Sequence, residues 1–161
     1  MTRSRHGSFK LQSSFELLVT LSFGLAILLP LVVLAFVQLA NANTSLSTIE
    51  AQQSASKLAN IATIVGGEGP PAKQLVQIQV PPNIQYIYVG SSQQGVIGHE
   101  IIFVVRAPTG LSYVTSYTPV NVSGSLGGIV APGTYLVNLT AQSVCPNSNT
   151  PAPCVYLSPV I

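Results

Sequence analysis

Apolar and polar positions follow three different rules along the chain. From Leu17 to Ala40 the sequence LLVTLSFGLAILLPLVVLAFVQLA carries no formal charge, so a helix drawn through it is apolar on every side. Its 24 residues would span about 36 Å, enough to cross the hydrocarbon core of a bilayer. A helix apolar all round belongs in lipid or among its own kind. Beyond it Leu46, Ile49, Leu58, Ile61, Ala62 and Val65 recur near helical spacing, and Ala51, Ala55 and Ala59 leave room for a close neighbour. Glu50, Gln52, Gln53, Ser56 and Lys57 occupy the other side. One helix over 12–65 is therefore expected, apolar in its first half and amphipathic in its second.

After this the period shortens to two. Val76, Ile78 and Val80 alternate with Gln77 and Gln79, the pattern of a half-buried strand. Further strands are expected at Ile84–Val89, Val96–Arg106, Leu111–Thr118, Val120–Ser123, Thr134–Ala141 and Cys154–Leu157, rich in Val, Ile, Tyr and Thr and separated by Gly- and Pro-containing turns. Six or seven short strands in 72–161 suggest an antiparallel β-sandwich of immunoglobulin-like type. Between the two regimes Gly66-Gly67-Glu68-Gly69-Pro70-Pro71 reads as a cap and hinge. No strand precedes it and no Gly-Lys-Ser/Thr follows, which argues against a phosphate loop. The expected fold class is α+β, with a leader at 1–11, the helix at 12–65, the hinge at 66–71 and the β-domain at 72–161.

Composition sharpens this picture. Only 6% of the 161 residues are charged, against 47% hydrophobic, and aspartate is absent. An ordinary soluble domain is about a quarter charged, so a cytosolic enzyme is a poor description. A net charge of +2 gives no reason to expect a nucleic-acid partner. Solubility outside the apolar helix must come from Ser, Thr, Asn and Gln, whose neutrality does not change as pH falls through the carboxylate range. What charge there is lies unevenly: Arg3, Arg5 and Lys10 all precede the apolar run, along with His6. A basic flank of this kind stays on the cytoplasmic side and puts everything after Ala40 outside.

Two readings of the leader compete. Ala40-Asn41-Ala42 has the small-x-small form of a signal-peptidase site, and cleavage there would release a chain starting at Asn43. Against it, a secretory apolar core is usually about 7–15 residues, and such a signal has no use for Glu16 at the mouth of its apolar run. The other reading rests on Gln12-Ser13-Ser14-Phe15-Glu16, set between the basic cluster and Leu17. Here the sequence resembles the archaeal type IV pilin-like proteins with a class III signal, whose motif is Gln-x-Ser-x-Glu followed directly by a hydrophobic helix. Gln12, Ser14 and Glu16 match in type and spacing, and the resemblance covers Met1 to about Val65.

The resemblance implies cleavage by a prepilin-type peptidase between Leu11 and Gln12, in front of the helix rather than behind it. One departure is that the family usually carries Gly or another small residue where this chain has Leu11. It further implies self-association into a helical filament, driven by an assembly ATPase and a membrane platform protein. Glu16 would then neutralise the new amino group at Gln12, its own or a neighbour's. Breaking such a pair in an apolar filament core leaves a buried charge, at about 3–5 kcal/mol. The plainer alternative is that Glu16 reaches out to lipid headgroups. Pro30 and Gly24 fall inside the apolar run; membrane helices tolerate both.

Cys145 and Cys154 are the two cysteines, separated by PNSNTPAP. In an external, turn-rich loop they are expected to form a disulfide, since no further metal ligands lie nearby. Asn43-Thr-Ser, Asn121-Val-Ser and Asn138-Leu-Thr are glycosylation sequons, with Asn121 the most attractive because turn residues follow it.

Catalytic chemistry is hard to assemble. His99 and Glu100 are adjacent on an expected strand and so point to opposite faces, which spoils them as an acid–base pair. No catalytic, cofactor or metal residues are nominated. The expectation is a structural subunit of a surface filament, in the cell membrane as a precursor and extracellular afterwards, serving adhesion or motility. The alternative is a non-polymerising, membrane-anchored or minor pilin-like protein that recognises a cell-wall or S-layer component through exposed tyrosines among Tyr86, Tyr88, Tyr113 and Tyr117, about half of which are expected to pack in the core instead.

Overall fold

The computed structural model describes residues 8–93, 95–146 and 151–160, with side chains from residue 15 onward. Arg3, Arg5, His6 and the rest of 1–7 lie outside the described residues; 8–11 of the expected leader belong to the first helix, α1 (Ser8–Glu68). The chain divides into two compact units at the boundary between Ala42 and Asn43.

The described residues of the first unit are helix alone. Leu17, Phe23, Leu29 and Phe36 are all between 63% and 69% exposed, so nothing in the unit covers them. Its hydroxyls turn inward on the backbone: Thr20 Oγ1 donates to the Glu16 carbonyl at 2.8 Å and Ser22 Oγ to that of Leu18 at 2.7 Å. Such back-bonding hides a polar atom without any outside partner. α1 continues through Pro30.

The second unit uses the remainder of α1 as one layer and a sheet as the other. Ala51, Ala55, Leu58, Ala59, Ala62 and Val65 form the buried helical stripe, joined in one core with strand residues such as Val76, Ile87, Phe103, Val137 and Leu157. Alanine dominates the stripe because short side chains let the helix approach the sheet closely. Gly66 extends it: a Cβ there would lie 2.9 Å from Val120 Cγ1. Leu46 and Ile49, expected in the stripe, are instead more than half exposed, and Ser47 and Ser54 are buried in their place.

The expected hinge at 66–71 begins three residues too early. α1 holds through Gly66 and Gly67 to Glu68, and Gly69 caps it with φ 73°, its N–H donating to the Val65 carbonyl at 3.2 Å. A left-handed residue here favours glycine, which adopts that conformation without a Cβ clash. Ala72 N–H then returns to the Gly69 carbonyl at 2.9 Å across a cis Pro70–Pro71.

Among the described residues six strands follow: β1 (Lys73–Val80), β2 (Ile84–Gly90), β3 (Gly98–Ala107), β4 (Gly110–Gly124), β5 (Gly133–Gln142) and β6 (Cys154–Pro159). All belong to one sheet in the order β1-β5-β6-β4-β3-β2, whereas the sequence reading expected two packed sheets. The physical reason lies in α1: its alanine stripe covers the inner face, so no second sheet is needed to bury Val76, Phe103 or Leu139. Pairing is antiparallel except between β4 and β6, which run parallel over Val122–Gly124. The architecture is thus α+β, one long apolar helix followed by a mostly antiparallel six-stranded sheet.

Two expected strands, Leu111–Thr118 and Val120–Ser123, are one strand, β4. Pro119 does not break it, because pairing with β3 slips there: Glu100 faces Tyr117 but Gly98 faces Val122. In that bulge the missing proline N–H costs no ladder bond.

Candidate functional site

The segment nominated for processing and assembly sits at the start of α1. Leu11, Gln12 and Ser14 are helical by their backbone, and their side chains lie outside the described residues. Glu16 is exposed one turn further on, at the head of the apolar stretch, and no residue whose side chain is described forms an ion pair with it. Among the described residues α1 is the one helix long and apolar enough to cross a membrane.

In the second unit the most distinctive surface is aromatic. Side chains directly opposite in an antiparallel ladder share a face. Tyr86, Val104 and Tyr113 form one such row, and Tyr88, Ile102 and Thr115 the next. A third row brings Glu100 beside Tyr117, and a fourth Arg106 beside Leu111. All four tyrosines named from the sequence therefore stand on one face of β2, β3 and β4, turned away from α1. Tyr113 and Tyr117 are 64% and 67% exposed, while Val104 between its tyrosines is buried. The Tyr86 and Tyr88 rings stack with centroids 5.9 Å apart.

Cys145 and Cys154 form the disulfide, with Cα atoms 5.5 Å apart, at the mouth of the β5–β6 connection. Cys145 N–H also bonds the Ala152 carbonyl at 3.1 Å, so the two ends of this loop are tied twice; residues 147–150 within it lie outside the described residues.

The three sequons differ in what holds their amides. Asn43 is exposed on α1. Asn138 is half-buried on the outer face of β5, opposite Leu75 on β1 and Ser158 on β6. Asn121 is also half-buried, and its Nδ2 donates to the Pro153 carbonyl at 3.2 Å, fastening β4 to the start of β6. The residue that looked most accessible in the sequence is the one whose amide is already engaged.

His99 serves the bulge. A carbonyl only accepts, so the 3.2 Å contact between His99 Nδ1 and Thr118 O places the ring proton on Nδ1. The ring also lies 5.8 Å from that of Tyr117. His99, Asn121 and Gln142 line a cleft of about 240 Å³ beside Gly69 and Pro70. Among the described residues no group of three His, Cys, Asp or Glu side chains comes together to hold a metal.

The periodicity missed one polar cluster. Ser54 Oγ donates to the Gln79 carbonyl at 2.6 Å and Lys57 Nζ to that of Gln77 at 2.8 Å, so α1 caps the backbone of β1. The signal was present in the i, i+3 spacing of Ser54 and Lys57 beside an alternating strand, but a sequence does not say which edge that strand occupies.

Comparison with known protein families, with curated proteins and with solved structures finds no match for this chain.

Proposed function

We propose that this chain is a structural subunit of an archaeal type IV pilus-like surface filament. The single observation that carries this reading is the first unit: a helix whose apolar side chains are exposed all round, with Glu16 at its head. Such a surface has to be covered by something outside the chain. Lipid covers it in the precursor, and the same helix of neighbouring subunits covers it in the filament. Leu46, Ile49 and Ile64, exposed on the second part of α1, extend the contact area beyond the fully apolar stretch. The partners are a prepilin-type peptidase, an assembly ATPase and a membrane platform protein, and the sheet-bearing unit forms the outside of the filament.

A second reading is favoured by the tyrosine face: a membrane-anchored protein whose sheet recognises a cell-wall or S-layer component without polymerising. The release of a free Asn43–Ile161 unit is a third, since the division between units falls at the bond after Ala40-Asn41-Ala42; that bond lies inside α1.

Mass spectrometry of the N terminus of the protein from cells separates the filament subunit from the released unit. A start at Gln12, or its cyclised form, is expected, and a start at Asn43 overturns the proposal. Glu16→Ala is then expected to leave cleavage intact and to stop or slow filament growth. Normal filaments from that variant would remove the proposed pairing with the Gln12 amino group.

A further inference from the structure

The tyrosine face carries a charge pattern that selects its own partner. On β3 the outward positions read Glu100, Ile102, Val104, Arg106, with an acid at one end and a base at the other. Both are exposed, neither forms an ion pair with another described residue, and about 20 Å of strand separates them. Between them the face is neutral and aromatic. Tyrosine is favoured in protein contacts because it buries a large rigid ring while its hydroxyl stays hydrogen-bonded.

We infer that this face docks against the same face of a second copy of the chain, related by a two-fold axis that sets the two β3 strands antiparallel. A two-fold contact is self-complementary: whatever residue i meets, its counterpart meets in return. If the β3 strands ran parallel, Glu100 would meet Glu100 and Arg106 would meet Arg106, two like-charge contacts that penalise the arrangement. In the antiparallel arrangement each Glu100 meets the other copy's Arg106, twice over.

The rows fit the same operation. Turning one copy about an axis across the middle of β3 lays the Tyr86–Val104–Tyr113 row on the Tyr88–Ile102–Thr115 row of the other. Tyr113, the projecting side chain of the first row, then comes opposite Thr115, the short one of the second. Tyr86 comes opposite Tyr88, and the ion pairs sit at the rim, where they set direction more than affinity.

This pairing stands whether or not the chain polymerises. Neighbours in one helical filament are related by a screw operation and all point the same way, so a two-fold contact joins subunits of two different filaments. It is a device for lateral bundling.

Charge exchange in the full chain, solubilised in detergent micelles and followed by sedimentation, tests the inference. The unaltered chain is expected to self-associate, and Glu100→Arg or Arg106→Glu alone to weaken this by at least about tenfold. The double exchange restores it, and an equimolar mixture of the two single variants forms mixed pairs. Circular dichroism checks that each variant is folded, which both exposed positions permit. Association through the apolar helices responds to none of these changes, so it is told apart from pairing through the sheet. A chain indifferent to the single exchanges, or a double exchange that fails to recover, overturns the inference. Tyr113-dependent binding to a polysaccharide, with both charge exchanges silent, would make a glycan the occupant and overturns it too.

Discussion

The Lys57 ammonium donates to the Gln77 carbonyl oxygen at 2.8 Å, and with it α1 reaches over the outer edge of β1. β1 is the last strand of the sheet on that side, so its outward carbonyls have no neighbouring strand. Ser54 does the same for Gln79 at 2.6 Å. A free edge is a template for pairing with another chain, and covering it with a helix is one of the ways proteins avoid aggregation.

Ser54→Ala is expected to lower the stability of the second unit by about 1 kcal/mol, because it removes the hydrogen bond that the buried Ser54 hydroxyl makes to the β1 backbone. Lys57→Met should cost less, since Lys57 is exposed and water can replace its ammonium. Denaturant unfolding followed by tyrosine near-ultraviolet dichroism measures both. The double variant should also aggregate sooner when heated.

A side chain at Gly90 would meet backbone strain and a clash together. Its φ is 101°, and a Cβ there would collide with the Val96 carbonyl oxygen and lie 2.7 Å from that of Val122. Gly90→Ala is expected to destabilise by at least about 2 kcal/mol, from backbone strain together with overpacking. A thermal midpoint within a degree of the unaltered protein would contradict it.

Reducing the Cys145–Cys154 disulfide reopens a short loop, which should cost about 2–3 kcal/mol. The loss is expected in the unfolding of the sheet, with assembly through α1 unchanged. Shortened or absent filaments after mild reduction would show instead that the β5–β6 connection takes part in subunit contacts.

Glycan occupancy should follow amide freedom. Asn138 is expected to be modified more completely than Asn121, whose Nδ2 would first have to leave Pro153 O. Peptide mapping with and without glycan removal measures the two occupancies, and the opposite order would mean that the Asn121–Pro153 bond is readily broken.

Much of the fold was legible because one period dominates each part. The charge-free run from Leu17 to Ala40 could only be a helix of this length, and β1, β2 and β5 fall within a few residues of their alternating patterns. What was not legible depends on partners distant in sequence. A breaker such as Pro119 looks the same at the end of a strand and in a bulge; only the slip between Glu100 and Gly98 distinguishes them. Leu46 and Ile49 satisfy the helical spacing as well as Ala51 and Ala55 do, yet the sheet accepts the alanines, because contact there is limited by backbone approach. Of the candidate site, the four tyrosines were visible as i, i+2 and i, i+4 pairs on their strands. Their union on one face required the register of β2, β3 and β4.

The alanine stripe of α1 has a mechanical consequence. On the proposed reading the subunit is pulled, and tension arriving along the Asn43–Glu68 part of α1 enters the sheet as shear spread over the contacts from Ala51 to Val65, about four helical turns. The sheet is fastened to its helix along the helix's length, and a pull would have to slide the whole stripe at once before it could begin to peel a strand.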